Sequence, residues 1–141
     1  MKIKYIIILS SVAFFLHIIW ENAQAPLFAG YLSLGQHFPK CLWATIGDIV
    51  FTLLVYLGIS LLKNDFGWIT RLSGKDIAVI AVMGFFWAIG IEQRAFLFEK
   101  WNYTNAMPII PYLLVGLTPI LQMTFLLPLS FYLTSKLHEK I

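Results

Sequence analysis

The sequence predicts an all-α integral membrane bundle of four transmembrane helices, with both termini cytoplasmic. Three observations carry that expectation. Sixty per cent of the residues are hydrophobic and 12% are charged, against about 25% charged in an ordinary soluble domain. Four stretches, at about 5–25, 42–62, 77–98 and 109–135, reach the length of ~20 apolar residues that crosses a bilayer. The basic residues are also sorted. Lys2, Lys4, Lys63, Arg71, Lys75, Lys136 and Lys140 are seven of the ten and fall on one side of the expected topology; Lys40, Arg94 and Lys100 fall on the other. The positive-inside rule then places the first group, with both termini and the middle loop, in the cytoplasm. The 141 residues form one multi-pass domain, 1–141, with no separate soluble domain.

The first span follows Lys2 and Lys4 and ends near Ala23-Gln24-Ala25, which has the pattern of a signal-peptide cleavage site. Pro26 would follow the cut directly, and its ring removes the N–H at the scissile bond. A retained span is therefore expected, with cleavage left open. On that span Ser10, Ala13, His17, Glu21 and Gln24 recur at three- and four-residue steps and share a face.

The segment 22–40 contains Pro26-Leu27-Phe28-Ala29-Gly30-Tyr31-Leu32, too apolar for a solvated loop and too short to span. It is expected to be interfacial or re-entrant, which backbone at membrane depth allows only against protein or a wet cavity. Gly30 and Gly35 are not followed by Gly-Lys-Ser/Thr, so a phosphate loop is not supported.

The second span aligns Cys41, Thr45, Asp48, Thr52 and Tyr56 on one face. The inner loop 63–75 reads as an ordinary connector, with Asn64, Gly67 and Gly74 as turn residues. The third span aligns Ala81, Gly84, Ala88, Glu92 and Ala95. Small residues at that spacing mark a surface where membrane helices approach closely, so Glu92 is expected to face the bundle interior. Trp20, Trp43, Trp101 and Tyr103 are read as an outer aromatic belt, and Tyr5, Trp68 and Tyr132 as an inner one. The sequon Asn102-Tyr103-Thr104 is read as a chance tripeptide. Pro119 and Pro128 lack the N–H groups that would bond the Val115 and Thr124 carbonyls, so the fourth span is expected to bend or break, with Gln122 just beyond Pro119.

Glu21, Asp48 and Glu92 are the functional handle. A charge in hydrocarbon costs ~2.5–3.5 kcal/mol on insertion scales, so chains carry one where it is solvated or used. Asp48 and Glu92 each lie about six residues, roughly 9 Å, below the outer ends of their spans, and Glu21 exits the first span on the same side. One polar pocket, open outward, follows. The expected catalytic acids are Asp48, Glu92 and Glu21; the expected substrate-binding residues are His17, Gln93, Arg94, Gln122, Trp101 and Tyr103. A purely structural alternative pairs Arg94 with Glu92 or Glu99.

Other chemistries find less support. A metal shell would draw on His17, Glu21, Asp48, Glu92 and His37, yet neither a metal nor a cofactor is expected. Haem would need a second axial ligand beside His17. Cys41 is the single cysteine, which excludes an intrachain disulfide and a cysteine zinc cluster. The net charge of +3 forms no basic stripe along a helix, so nucleic acid is not an expected partner.

Trp101-Asn102-Tyr103 and Leu117-Thr118-Pro119-Ile120-Leu121-Gln122 resemble the integral-membrane lycopene cyclase domain. In that family a W-x-Y loop precedes a helix entered through P-x-E-E, whose acids protonate a polyene. The two acidic positions are Leu121 and Gln122 here. Gly47-Asp48, Met107-Pro108-Ile109-Ile110-Pro111 and Gly116-Leu117-Thr118-Pro119 also resemble a group of small bacterial four-helix membrane proteins without an assigned function; the resemblance implies only the fold and a location in the bacterial cytoplasmic (plasma) membrane.

The expected function is binding of, or acid–base action on, a lipid-like or isoprenoid molecule entering from the outer leaflet, with segment 22–40 as a lid. Whether the chain is an enzyme stays open. The partner is then a membrane lipid or a hydrophobic small molecule. Two rivals use the same carboxylates: a small proton- or cation-coupled transporter or channel, which admits a homo-oligomer, and an accessory subunit meeting a partner's basic residue in a membrane complex.

Overall fold

The structure is a computed structural model that describes residues 3–140. Four helices are long and apolar enough to cross a membrane: α1 (Ile3–Gln24), α2 (Leu34–Lys63), α3 (Gly74–Leu97) and α4 (Leu117–Leu137). A short hairpin, β1 (Ile109–Ile110) with β2 (Val115–Gly116), precedes α4.

Two boundaries differ from the expectation. Only residues 25–33 of the segment 22–40 lie outside the long helices. α1 runs to Gln24 and tightens into a 3₁₀ turn at Ala25–Leu27, and α2 begins at Leu34. Ser33 caps α2 by accepting the Gln36 N–H at 3.4 Å. Pro39 lies inside the helix; close to the N-terminus it removes one bond, to the Gly35 carbonyl, and the helix continues. The fourth helix likewise starts at Leu117 rather than 109. Pro108 and Pro111 have no N–H to give to a first turn, and the chain forms the hairpin instead, pairing Ile109 with Gly116 and Ile110 with Val115. Pro119 then falls in the opening turn of α4, where its missing N–H costs little. Just before Pro128 the helix widens into one π turn at Gln122–Leu126, a feature frequent at functional sites.

The buried faces follow the helical repeat. α1 buries Tyr5, Leu9, Ala13, His17 and Gln24; α2 buries Cys41, Thr45, Thr52 and Tyr56; α3 buries Ile80, Gly84, Ala88, Glu92 and Ala95. At Gly84 the reason for a small residue is explicit. The Met123 carbonyl stands where a side-chain Cβ would go, so α3 closes directly on the π turn of α4.

The end of the bundle opposite Asp48 and Glu92 is packed shut. The connector there is more than a simple link, because Trp68 and Ile69 are buried. Trp68 does not belong to an aromatic belt: it stacks between Tyr56 and Phe131, at 6.2 and 5.6 Å between ring centres, and donates its N–H to Ser60 Oγ at 2.9 Å. Tyr56 donates to the Phe66 carbonyl at 2.7 Å, and Lys63 pairs with Asp76 at 2.6 Å. Ser73 and Asp76 form a reciprocal capping box at the start of α3. Lys4 Nζ reaches the His138 carbonyl at 3.4 Å, so the start of α1 and the end of α4 meet. Lys2, counted with the same basic group, lies outside the described residues.

Candidate functional site

Toward the other end, three helices present polar groups to one another. α1 offers His17, Glu21 and Gln24, each about one turn from the next; α2 offers Asp48; α4 offers Gln122, the first residue of the π turn. The Gln122 amide is the hub. Its Nε2 lies 2.9 Å from Glu21 Oε1, 2.8 Å from Asp48 Oδ2 and 3.1 Å from His17 Nδ1.

An amide nitrogen carries two hydrogens, so it cannot donate to all three neighbours. The surrounding bonds settle the assignment. Trp20 Nε1 can only donate, and it donates to Gln24 Oε1 at 3.2 Å. Gln24 Nε2 then donates to Gln122 Oε1 at 2.9 Å, which turns the Gln122 NH₂ toward the carboxylates. Glu21 and Asp48 take its two hydrogens. His17 Nδ1, 3.1 Å from Asp48 Oδ2, is then a donor to Asp48. The imidazole so oriented leaves Nε2 buried, with no partner among the described residues.

The second node is on α3. Glu92 Oε2 accepts from Trp101 Nε1 at 3.2 Å and from the Tyr103 hydroxyl. The Tyr103 oxygen in turn accepts the Gly116 N–H at 2.9 Å. A side chain at Gly116 would meet Met107 Sδ at 2.9 Å and the Tyr103 ring at 3.0 Å, so only glycine lets β2 approach this closely. Burial, and then the Glu92 carboxylate beside it, hold the Tyr103 phenol well above its ordinary range.

Both nodes line one cavity of about 640 Å³, which Glu21, Asp48, Gln24 and Gln122 share with Glu92 and Trp101. Its walls are otherwise mostly apolar and include Phe28, Trp43, Trp87, Ile91 and Met123. The stretch after α1 closes over one side. Phe28 bridges to Tyr103, Ala29 N–H donates to the Asn102 carbonyl at 2.9 Å, and Thr104 N–H donates to the Leu27 carbonyl at 2.9 Å.

The sequence-derived candidates therefore separate. Glu21, Asp48, Glu92, Gln122 and Trp101 line the cavity; His17 and Tyr103 stand behind it as partners of Asp48 and Glu92. Gln93 and Arg94 do not join them. Both are exposed, and Arg94 lies over the Phe98 ring at 5.8 Å. They flank Glu92 in the chain, and the 100° turn per residue that buries Glu92 carries its neighbours outward. Among the described residues Arg94 forms no ion pair, so Glu92 is held by Trp101 and Tyr103 rather than by Arg94. Trp101 and Tyr103 thus serve the site rather than an aromatic belt. His37 lines the cavity with its ring tilted against Tyr31 at 5.4 Å, and among the described residues no three His, Cys, Asp or Glu side chains are grouped to hold a metal ion.

Four contributors lie outside the expected set. Gln24 was legible as a face-mate of Glu21 but not as the group that orients Gln122. Trp87 and the lysines Lys40 and Lys100 also line the cavity. The lysines carried a signal, being two of the three basic residues on the minority side of the charge count. Comparison with family models, with curated proteins and with solved structures finds no match to this chain.

Proposed function

We propose that this is a multi-pass membrane protein whose cavity binds a lipid-like or isoprenoid amphiphile, with Glu21, Asp48 and Glu92 as its acid–base groups. The single observation that carries the reading is the cavity itself, because three carboxylates from three different helices line one largely apolar space. Large apolar walls with a few convergent polar groups are what a hydrophobic ligand with a small polar end requires.

Membrane insertion is supported by what the helices leave outside. Ile7, Phe15 and Ile19 on α1, Val50 and Leu54 on α2, and Val79, Val82 and Phe86 on α3 are all exposed. In water such faces would form apolar patches of the kind soluble monomers avoid. An orientation with both termini in the cytoplasm is supported by Lys4, Lys63, Arg71, Lys75, Lys136 and Lys140, which gather at the packed end of the bundle; the bacterial cytoplasmic membrane follows from the resemblance to small bacterial membrane proteins.

Two proton-bearing pairs face the ligand space: His17 with Asp48, and Tyr103 with Glu92. Each couples a carboxylate to a group that can return or receive a proton. The likeness to the lycopene cyclase domain fits this chemistry in kind. Its acidic positions are Leu121 and Gln122 here, and the acids come from α1, α2 and α3 instead. The transporter reading is less well supported, since Trp68, Ile69 and Phe131 fill the end where a path to the cytoplasm would run.

Native mass spectrometry of the detergent-purified chain tests the proposal. The expected result is a retained amphiphile that is lost in Gly47→Trp. Gly47 lines the cavity, and nothing lies within 4 Å of a Cβ built there, so the new ring fills ligand space without touching an acid. A folded Gly47→Trp protein that retains the same bound molecule would remove the cavity from consideration.

A further inference from the structure

We propose that the cavity is a headgroup site for a phosphate-linked primary ammonium, with the ammonium against the carboxylates and the phosphate at the mouth. This rests on the reading of the cavity as an amphiphile site and names the polar end of that amphiphile.

The carboxylates have unused acceptors. Asp48 commits Oδ2 to Gln122 and His17, and Glu92 commits Oε2 to Trp101 and Tyr103. Asp48 Oδ1 and Glu92 Oε1 accept no hydrogen bond from any described residue, although both side chains line the cavity and Glu92 is only 4% exposed. Neither oxygen is sealed off, so a ligand in the cavity finds a free acceptor on both carboxylates. Among the described residues no lysine or arginine is buried, and none pairs with Asp48 or Glu92.

The ligand must therefore bring donors and positive charge. A primary ammonium brings three N–H donors. The rings of Trp87 and Trp101, also in the lining, favour a cation over a neutral alcohol. A carboxylate or phosphate at this depth would be repelled.

The mouth has the opposite character. Lys40 and Lys100 line the cavity and are exposed, and neither forms an ion pair among the described residues. Two ammonium groups with open donor positions suit a phosphate. The order from mouth to floor is thus cationic and then anionic, the complement of a phosphate joined by a short linker to an ammonium. Such a zwitterion occurs as a lipid headgroup and as a free solute.

The test uses the full chain purified in detergent, with binding read from tryptophan fluorescence. Three phospholipids with identical acyl chains carry ethanolamine, choline or glycerol heads, and soluble phosphoethanolamine is the fourth probe. The ethanolamine lipid is expected to bind tightest and the glycerol lipid roughly tenfold more weakly. Glu92→Gln and Asp48→Asn are expected to erase that preference. Lys40→Gln combined with Lys100→Gln, both exposed, is expected to weaken every phospholipid alike.

The headgroup ranking in the unaltered protein decides the matter even where a carboxylate variant does not fold. Equal binding of all three lipids overturns the ammonium assignment and leaves the amphiphile reading standing. Choline binding as tightly as ethanolamine overturns the N–H donors. Soluble phosphoethanolamine binding as tightly as its lipid upholds the headgroup chemistry and removes the lipid. Failure of all four probes overturns both readings.

Discussion

Gln122 on α4 donates its amide to Asp48 on α2 at 2.8 Å, across 74 residues of chain. That bond and its neighbour to Glu21 tie α4 to the α1–α2 pair through two carboxylates at once. The amide is held in this sense by Gln24, which Trp20 holds in turn. A side chain with no charge of its own thus organises the charged part of the site.

Gln122→Leu should be among the most damaging single changes outside the apolar core. It keeps the volume but leaves Glu21 without the Gln122 amide and Asp48 with His17 as its remaining donor, each lost bond a cost of about 1–3 kcal/mol. Thermal unfolding in detergent should show a drop of the order of 2–4 kcal/mol. A drop no larger than that of an exposed leucine substitution would mean that the hub bonds contribute little.

Gly84→Ala should separate α3 from the π turn. The new methyl would occupy the position of the Met123 carbonyl, which is backbone and can move only with its helix. Overpacking of this kind costs about 1–3 kcal/mol. Gly90→Ala, where nothing lies within 4 Å of the added carbon, is the matched control and should be tolerated. Equal stability of the two variants, measured side by side, would contradict the close approach.

Tyr103 gives the site a pH signature. Its phenol is raised above the ordinary tyrosine value of about 10, first by burial and then by Glu92. A raised value means that the folded state holds the proton more tightly than the unfolded chain does. The stability this contributes is complete below pH ~10 and is lost as the pH rises beyond it. Unfolding measured from pH ~8 to ~11 should therefore fall more steeply for the unaltered protein than for Tyr103→Phe. Parallel curves would show that the phenol is not coupled to folding.

Gln93→Ala and Arg94→Ala should leave the site unchanged. Both side chains point away from the cavity, and exposed substitutions of this kind usually stay within ~0.5 kcal/mol. Amphiphile binding should change by less than about twofold in either variant. A larger loss would show that one of them reaches the ligand.

The sequence by itself determined the helices and their inward faces. The repeat of Gly84, Ala88, Glu92 and Ala95, and that of His17, Glu21 and Gln24, is local information, because about 3.6 residues complete a turn whatever surrounds the helix. The same rule turns Gln93 and Arg94 outward, although both lie in the outer half of the span, at the depth expected of the site. The onset of α2 at Leu34 and the hairpin before α4 were harder to see. Apolar runs do not mark their own ends, and Pro39 and Pro111 read alike until the surrounding backbone is known. Only the tertiary structure decided which polar groups meet. Glu92 finds Trp101 and Tyr103 because Phe28 and Gly116 hold that loop against the top of α3. Gln122 finds Glu21 and Asp48 because its amide begins a π turn that Gly84 allows α3 to approach. Cross-helix partners depend on the height and rotation of one helix against another, and those are set by packing summed over the whole bundle rather than by any one segment.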